Sequence, residues 1–465
     1  MIARGRKAII SCLLAGLVSI GGLGSFTSSS AADDTTQRQP QSPMRRSVQA
    51  DPQMPSDLRM DFELGAGLFK RNWVAAPSST QAVDGLGPLY NARSCNACHP
   101  GGARSHDLVD QRKEVVPGLT VHLGRPGNAD AGAVPDPLYG EQIQTQALPG
   151  QTPEARIGLI KANGPVISLA GGEQVQLRYS LLALSDLAYG ALDPATTASL
   201  RLAPAINGLG LIERIPAADI LVQAERLKPD GIAGRPNWIT DPRSGEKRLG
   251  RFGWKAIQPD IAQQNAHAFS IDIGMSTTIF PAPAGDCMPA QGSCLAAPDG
   301  RSPQFGNVEI AEAMRHLLDV FVSYATLPTP GHTGPKQVAA GERLFAAAGC
   351  GGCHRPGFDL PPTAGEPARK IAPYSDLLLH DMGAGLADGI VEGKARGNEW
   401  RTAPLWGLGQ AAAADGPAAL LHDGRARSIL EAILWHGGEA KPAQQRVVAM
   451  SPAERRDLIA FLRSL

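Results

Sequence analysis

One five-residue pattern, present twice, constrains this 465-residue chain more than any other feature: Cys95-Asn96-Ala97-Cys98-His99 and Cys350-Gly351-Gly352-Cys353-His354. Two thiols three positions apart can each form a thioether with one vinyl group of a haem. The adjacent imidazole then meets the iron from the same side. Each copy therefore predicts a covalently attached c-type haem, with His99 and His354 as the proximal iron ligands. Other uses of a Cys pair explain less. A thioredoxin-like dithiol needs a βαβ setting, which neither copy has. Two pairs can share a zinc ion, but these lie far apart in the chain. A disulfide inside either pair would be strained. None of these accounts for a His after both pairs.

Composition agrees with two haem lobes. Gly contributes 53 residues and Pro 38, which points to long ordered loops. A bound macrocycle supplies apolar bulk, so each lobe needs less side-chain core than its length implies. Basic and acidic residues balance at 44 each, which excludes a basic nucleic-acid binder. A hydrophobic content of 43% excludes a disordered solvating chain. Seven Cys are too few for a disulfide scaffold. Cys287 and Cys294, in a Pro/Gly/Ala-rich loop, are expected to close that loop as a disulfide in an exported protein.

Export is read from the N-terminus. Arg4, Arg6 and Lys7 precede an apolar stretch from Ala8 to Leu23, and small residues follow at Ser30-Ala31-Ala32. This is the pattern of a cleaved signal peptide over 1–32, the alternative being a membrane anchor. No other segment reaches the ~18 apolar residues of a membrane span. The expected mature chain is periplasmic, with a flexible leader over 33–57.

Two haem domains are expected, 58–330 and 331–465, divided at Leu327-Pro328-Thr329-Pro330-Gly331. The expected class is mainly α: two cytochrome c-like haem domains, the first enlarged by long loops and a few short β-strands. Apolar spacing predicts helices within 307–327 and over 452–465, and alternation at Val175, Leu177, Tyr179 and Leu181 predicts a strand. Gly341 to His354 reads as a helix delivering the second Cys pair into a turn. Gly65-Ala66-Gly67-Leu68-Phe69 and Gly341-Glu342-Arg343-Leu344-Phe345 form a weak repeat, consistent with a duplication enlarged by insertion in its first copy.

The C-terminal part resembles the family of bacterial dihaem cytochrome c peroxidases and the methylamine-utilisation dihaem enzyme. The resemblance rests on Glu399-Trp400-Arg401-Thr402-Ala403-Pro404-Leu405-Trp406, Leu421-His422-Asp423-Gly424-Arg425 and Leu430-Glu431-Ala432-Ile433. The chain from about 58 to 465 is more similar still to a branch of dihaem oxidoreductases, some of them labelled thiol oxidoreductases. That branch has stretches like 84–91 (DGLGPLYN), 138–142 (LYGEQ), 205–213 (AINGLGLIE) and 250–256 (GRFGWKA). The resemblance implies an enzyme in which one haem stores an electron and the other, in the N-terminal domain, has an open iron position and reduces hydrogen peroxide. It implies electrons from a small redox protein, a cytochrome c or a cupredoxin. Whether calcium accompanies the haems is not given by these residues. Two other functions stay open: a non-catalytic dihaem electron carrier, and a haem oxidase acting on a protein or organic substrate.

The resemblance places the sixth ligand of the C-terminal haem just after the Leu-Glu-Ala helix, where this chain has His436 instead of the Met usual in peroxidases. Met382 is the rival. Bis-His ligation gives a lower potential than Met/His. For the N-terminal haem, the region after Phe252-Gly253-Trp254 offers Gln264 to orient peroxide and His267 or Asp272 to move protons. Against this, 263–270 reads equally as a helix with one solvated polar face, and His267 as an iron ligand. Trp254 is a candidate electron relay between the haems, or simply core. Arg251, Lys255, Arg401 and Arg425 are candidate partners of haem propionates, and His106 and His122 are further loop histidines near the first motif.

Overall fold

Glycine at a helix crossing lets two backbones approach closely, and this chain uses that device twice in the same way. The helix Arg59–Lys70 packs on Glu312–Ser323, and the helix Pro335–Ala347 packs on Pro452–Ser464. A Cβ on Gly65 would stand 2.7 Å from Phe321 Cβ and nearer still to the Leu317 carbonyl oxygen. A Cβ on Gly341 would stand 2.6 Å from Phe461 Cβ and nearer still to the Asp457 carbonyl oxygen. Four residues after each glycine a phenylalanine meets its partner across the crossing: Phe69 on Phe321, centroids 4.9 Å apart, and Phe345 on Phe461, 5.4 Å apart. A third short helix joins each pair, Leu209–Glu213 in one and Leu408–Ala412 in the other. Gly210 abuts the Ser323 backbone, and Gly409 abuts that of Arg463.

These facts come from a computed structural model that describes residues 48–104, 108, 115–127, 132–329, 334–363, 365–412 and 418–465. The expected signal peptide, the start of the leader, His106 and the residues 330–333 at the expected domain boundary lie outside the described residues. Order begins before Leu58. Ala50 bridges to Ala325 and Met54 is buried, so the end of the leader is tied down beside the Glu312–Ser323 helix. The described residues fall in one compact unit.

The class differs from the mainly α expectation. The structure is 32% helical and 21% strand, with several small sheets. The largest strand pair is the hairpin Arg156–Ser168 with Gln174–Ser185, in which Ala162 faces Tyr179. Leu119–Pro126 lies between Thr197–Leu202 and Ala133–Val134. The other strand pairs are two or three residues long, such as Leu379–Asp381 with Glu399–Arg401. They form because long loops must pair their backbone groups when buried, and pairs this short leave little alternation to read in the sequence. The alternating stretch at 175–181 is indeed strand, within a longer one. Cys287 and Cys294 are joined as a disulfide.

Candidate functional site

Each Cys-x-x-Cys-His motif opens onto its own cavity. The first cavity is lined by Cys95, Cys98 and His99, with Gln264, His267 and Asp272 from the segment that ends its far wall. The second is lined by Cys350, Cys353 and His354, with Met382 and His436. The two Cys pairs therefore do not converge on one ion, and all four thiols are unbonded. Burial pushes Cys95 up to about 12 and Cys350 up to about 11, so both are neutral thiols in apolar surroundings rather than thiolate ligands.

The motif histidines are held alike. His99 donates Nδ1–H to the Pro204 carbonyl at 2.7 Å, and His354 donates to the Tyr374 carbonyl at 2.8 Å. A carbonyl can only accept, so the proton sits on Nδ1 and Nε2 keeps its lone pair for a metal. Burial lowers both pKa values, that of His354 to about 4, so both rings are neutral. His436 repeats the device across the second cavity: its Nδ1 donates to the Ala432 carbonyl at 2.7 Å, and burial lowers its pKa.

The far walls are built on one frame. In the first half Phe252 bridges to Gln258, and Asp260 caps the helix Ile261–Ala268 by accepting from the Gln263 amide. In the second, Leu420 bridges to Ala426, and Ser428 caps Ile429–Leu434 by accepting from the Glu431 amide. The loops share positive φ at corresponding positions, Gly253 and Ala256 in one, Leu421 and Gly424 in the other. The shared frame makes Gln264 correspond to Ala432, and Ala268 to His436, and all four line their cavities. His267 lies one residue earlier, about 100° round the helix. Its Nε2 faces Glu141 at 3.7 Å. Burial alone would lower the His267 pKa, but Glu141 outweighs it and raises it, while the bond to His267 holds Glu141 below the usual carboxylate range. Next to this pair His122 Nδ1 faces Glu392 at 3.6 Å. Burial would raise the Glu392 pKa, but Arg201 and His122 hold it well below the usual range. Asp272 accepts from Gln142 Nε2 at 2.8 Å, and its charge reaches Cys95, Cys98 and His99.

The two halves interlock between the cavities. The Trp254 carbonyl accepts from the Arg401 amide, and the His422 carbonyl accepts from the Leu202 amide. Trp254 and Arg401 line both cavities. His422 stacks on Trp400 at 3.8 Å, and its ring lies 6.5 Å from that of Trp254.

Of the four cations offered to propionates, three are engaged otherwise. Arg251 donates to the carbonyls of Ile212, Glu213 and Ile215. Lys255 pairs with Asp388, and Arg425 with Asp423. Arg401 differs in place: it is buried, it lines both cavities, it donates to the Gly253 and Thr402 carbonyls, and no carboxylate among the described residues pairs with it. Burial lowers it to about 10. Arg104, also lowered to about 10 by burial, faces the second cavity and leaves its Nε without a partner. Two desolvated guanidiniums at a cavity wall are matched by an anion with two acceptor oxygens.

Comparison with known proteins then decides the family. A family model described as di-haem oxidoreductase, putative peroxidase, matches residues 190–465. The chain belongs to that family. No curated protein matches the sequence. Among solved structures, hydrazine synthase of Kuenenia stuttgartiensis, a xenon-pressurised form, aligns with 57% of this chain and 73% of its own at 15% identity and a TM-score of 0.27, which is too low to bear on fold or function.

A dihaem oxidoreductase needs two sites for the macrocycle, and the residues present fit. Each cavity has a thiol pair, an imidazole with its Nε2 kept bare, and an apolar wall, and Arg104 and Arg401 supply cations for the carboxylates. The sequence does not mark Arg104, Glu141, Glu392 or His422 as ligand or proton-handling residues, and it offers His122 only as a loop histidine that can be a haem ligand. One signal could have found the centre. Arg201-Leu202-Ala203-Pro204 leads to Gly208-Leu209-Gly210, as Arg401-Thr402-Ala403-Pro404 leads to Gly407-Leu408-Gly409. That repeat marks Leu202 and Arg401, whose amides bond the carbonyls of His422 and Trp254.

Proposed function

We propose that this chain is an exported, periplasmic c-type cytochrome that reduces hydrogen peroxide to water with electrons from a small redox protein, a cytochrome c or a cupredoxin. Thioethers to Cys95, Cys98, Cys350 and Cys353 hold the haems, with His99 and His354 proximal and His436, rather than Met382, as sixth ligand in the second cavity. The observation that carries the reading is the inequality of the two far walls. His436 presents a bare Nε2 in the second cavity, whereas the corresponding residue in the first is Ala268. An alanine leaves room for a small substrate at the position that a histidine takes in the other half. His267, one residue before Ala268, turns its Nε2 to Glu141, which weighs against its closing the first cavity as His436 closes the second.

Hydrogen peroxide, two electrons and two protons give two waters; bound haems would store and pass on the two electrons that the small redox protein donates. The chain supplies position and protons. Gln264 lines the first cavity and orients the bound peroxide. The His267–Glu141 pair holds a proton that it can deliver to one peroxide oxygen. Asp272, which lines the first cavity and is held by the Gln142 side-chain amide, is the second group that can move a proton. Trp254 lies where an electron must pass between the cavities, held by its Nε1 bond to the Leu202 carbonyl.

Electron paramagnetic resonance tests this. The oxidised or half-reduced protein is expected to show one high-spin ferric signal that peroxide consumes. Ala268→His is expected to convert that signal to low spin and make it silent to peroxide. Two low-spin haems in the unsubstituted protein, unchanged by peroxide in both states, would refute the reading.

A further inference from the structure

A third cavity, of about 660 Å³, adjoins the first haem cavity and is larger than the spaces of about 230 and 210 Å³ at the two motifs. His122, Gln142, His267 and Glu392 line both it and the first cavity, so they form the neck between the two. Its far wall is the hairpin Trp238–Thr240 with Lys247–Leu249, and its sides are Leu123, Val134 and the segment 390–394. A water-sized molecule needs only about 10–15 Å³ of such space. The chamber is therefore built on a scale far beyond peroxide, and falls in the range of sites for small organic molecules.

The lining narrows the class of occupant. Apolar side chains, among them Leu123, Val134, Ile239 and Val391, alternate with polar ones in the lining, and Trp238, 40% exposed, offers an aromatic ring to stack on. Glu392 at the neck and Glu141 beside it are carboxylates whose remaining oxygen lone pairs can accept hydrogen bonds. Glu141 faces His267, and Glu392 is met by Arg201 and His122, so the acidic groups of the lining are already matched and favour a neutral molecule over an ion. The geometry points to a binding site for a small, neutral, hydroxylated aromatic molecule: its ring lies against Trp238 and Val391, and its hydroxyl donates at the neck. The position beside the first cavity makes such a molecule a candidate reductant or substrate of that site. Binding itself does not depend on the peroxide reading, because it is measured without peroxide.

The test uses the haem-loaded protein in its oxidised state and guaiacol as the probe. Calorimetry is expected to show saturable one-to-one binding, accompanied by a small change in the Soret band. Anisole, which lacks a hydroxyl donor, should bind about tenfold more weakly, and benzoate should not compete. Val391→Trp, which fills the chamber, should weaken guaiacol at least about tenfold, and Trp238→Ala, a change at a partly exposed wall, several-fold. The second variant keeps the test open if the first does not fold. Absence of saturable guaiacol binding, or equal affinity in the parent and in Trp238→Ala, would overturn the proposal. If guaiacol binds as expected while peroxide leaves both haems unchanged, the chamber stands and the peroxide reading falls.

Discussion

Gly65 and Gly67 lie two residues apart on the helix Arg59–Lys70, and alanine at the two is predicted to act in opposite directions. Gly67 is exposed, and an added Cβ would have no neighbour within 4 Å. Alanine there gains only helix propensity, about 0.8–1.0 kcal/mol. Gly65 makes the same gain but faces Phe321 Cβ at 2.7 Å, with the Leu317 carbonyl nearer still. Rigid backbone cannot swing aside, so the two helices must part by roughly 1 Å. Overpacking of this kind costs about 1–3 kcal/mol. Parting also loosens the Phe62–Phe321 and Phe69–Phe321 pairs, at 5.1 and 4.9 Å, each worth about 0.5–1.5 kcal/mol. The net expectation is a loss of about 2 kcal/mol for Gly65→Ala and a gain of about 1 kcal/mol for Gly67→Ala. Guanidinium unfolding followed by circular dichroism should separate the two midpoints on opposite sides of the parent. Midpoints are the quantity to compare, because a large cofactor protein need not unfold in two states. Equal midpoints for the two variants would refute the close crossing, and with it the claim that Gly341 repeats the device in the second half.

Two further outcomes follow from the charges. Removing the Arg401 cation that lines both cavities, by Arg401→Met, should lower the reduction potentials of both haems by a few tens of mV, the size of an interaction of about 1 kcal/mol. Spectroelectrochemical titration in which neither potential moves, or only one, would count against its central position. Glu392 has a folded-state pKa below its ordinary 4.5, so its contribution is complete above that value and is lost as pH falls below it. The melting temperature should therefore drop more steeply between pH 4.5 and 3 in the parent than in Glu392→Gln, the difference amounting to about 1–2 kcal/mol. Parallel curves would show that the Arg201–Glu392–His122 cluster does not hold the carboxylate ionised.

What the sequence discloses here follows the range of the interactions involved. Haem attachment is local chemistry, since two thiols and an imidazole must lie within five residues, and the motif can be read directly. Helices with long apolar periods, such as Glu312–Ser323 and Pro452–Ser464, are legible for the same reason. The strand content is not. Leu379–Asp381 and Glu399–Arg401 are three residues each and owe their pairing to a loop closed between them, not to alternation. The neck of the first cavity is harder still, because His122, Glu141, His267 and Glu392 come from four separate segments, and only the fold brings them together. Arg401 is one of four cations that the sequence offers alike, and Arg251, Lys255 and Arg425 are told apart from it only by their place and partners in the fold.

The duplicated frame turns the difference between the two halves into a matter of single residues. Both far walls have the same bridge, the same two positive-φ positions and a capped helix start at the same offset. Backbone alone would therefore present equivalent side chains to equivalent points. The two cavities differ because Gln264 stands for Ala432 and Ala268 for His436. They differ also because Trp254 stands for His422 at the turn that each half lends to the other. A histidine moved one residue along a helix turns about 100° away from its former target, which is why His267 meets Glu141 at the neck and not the point that His436 occupies in the second cavity. A duplication that kept two identical far walls would have two equal ends. A histidine set one position earlier is enough to separate a wall lined by the imidazole of His436 from one lined by Ala268 with the His267–Glu141 pair beside it.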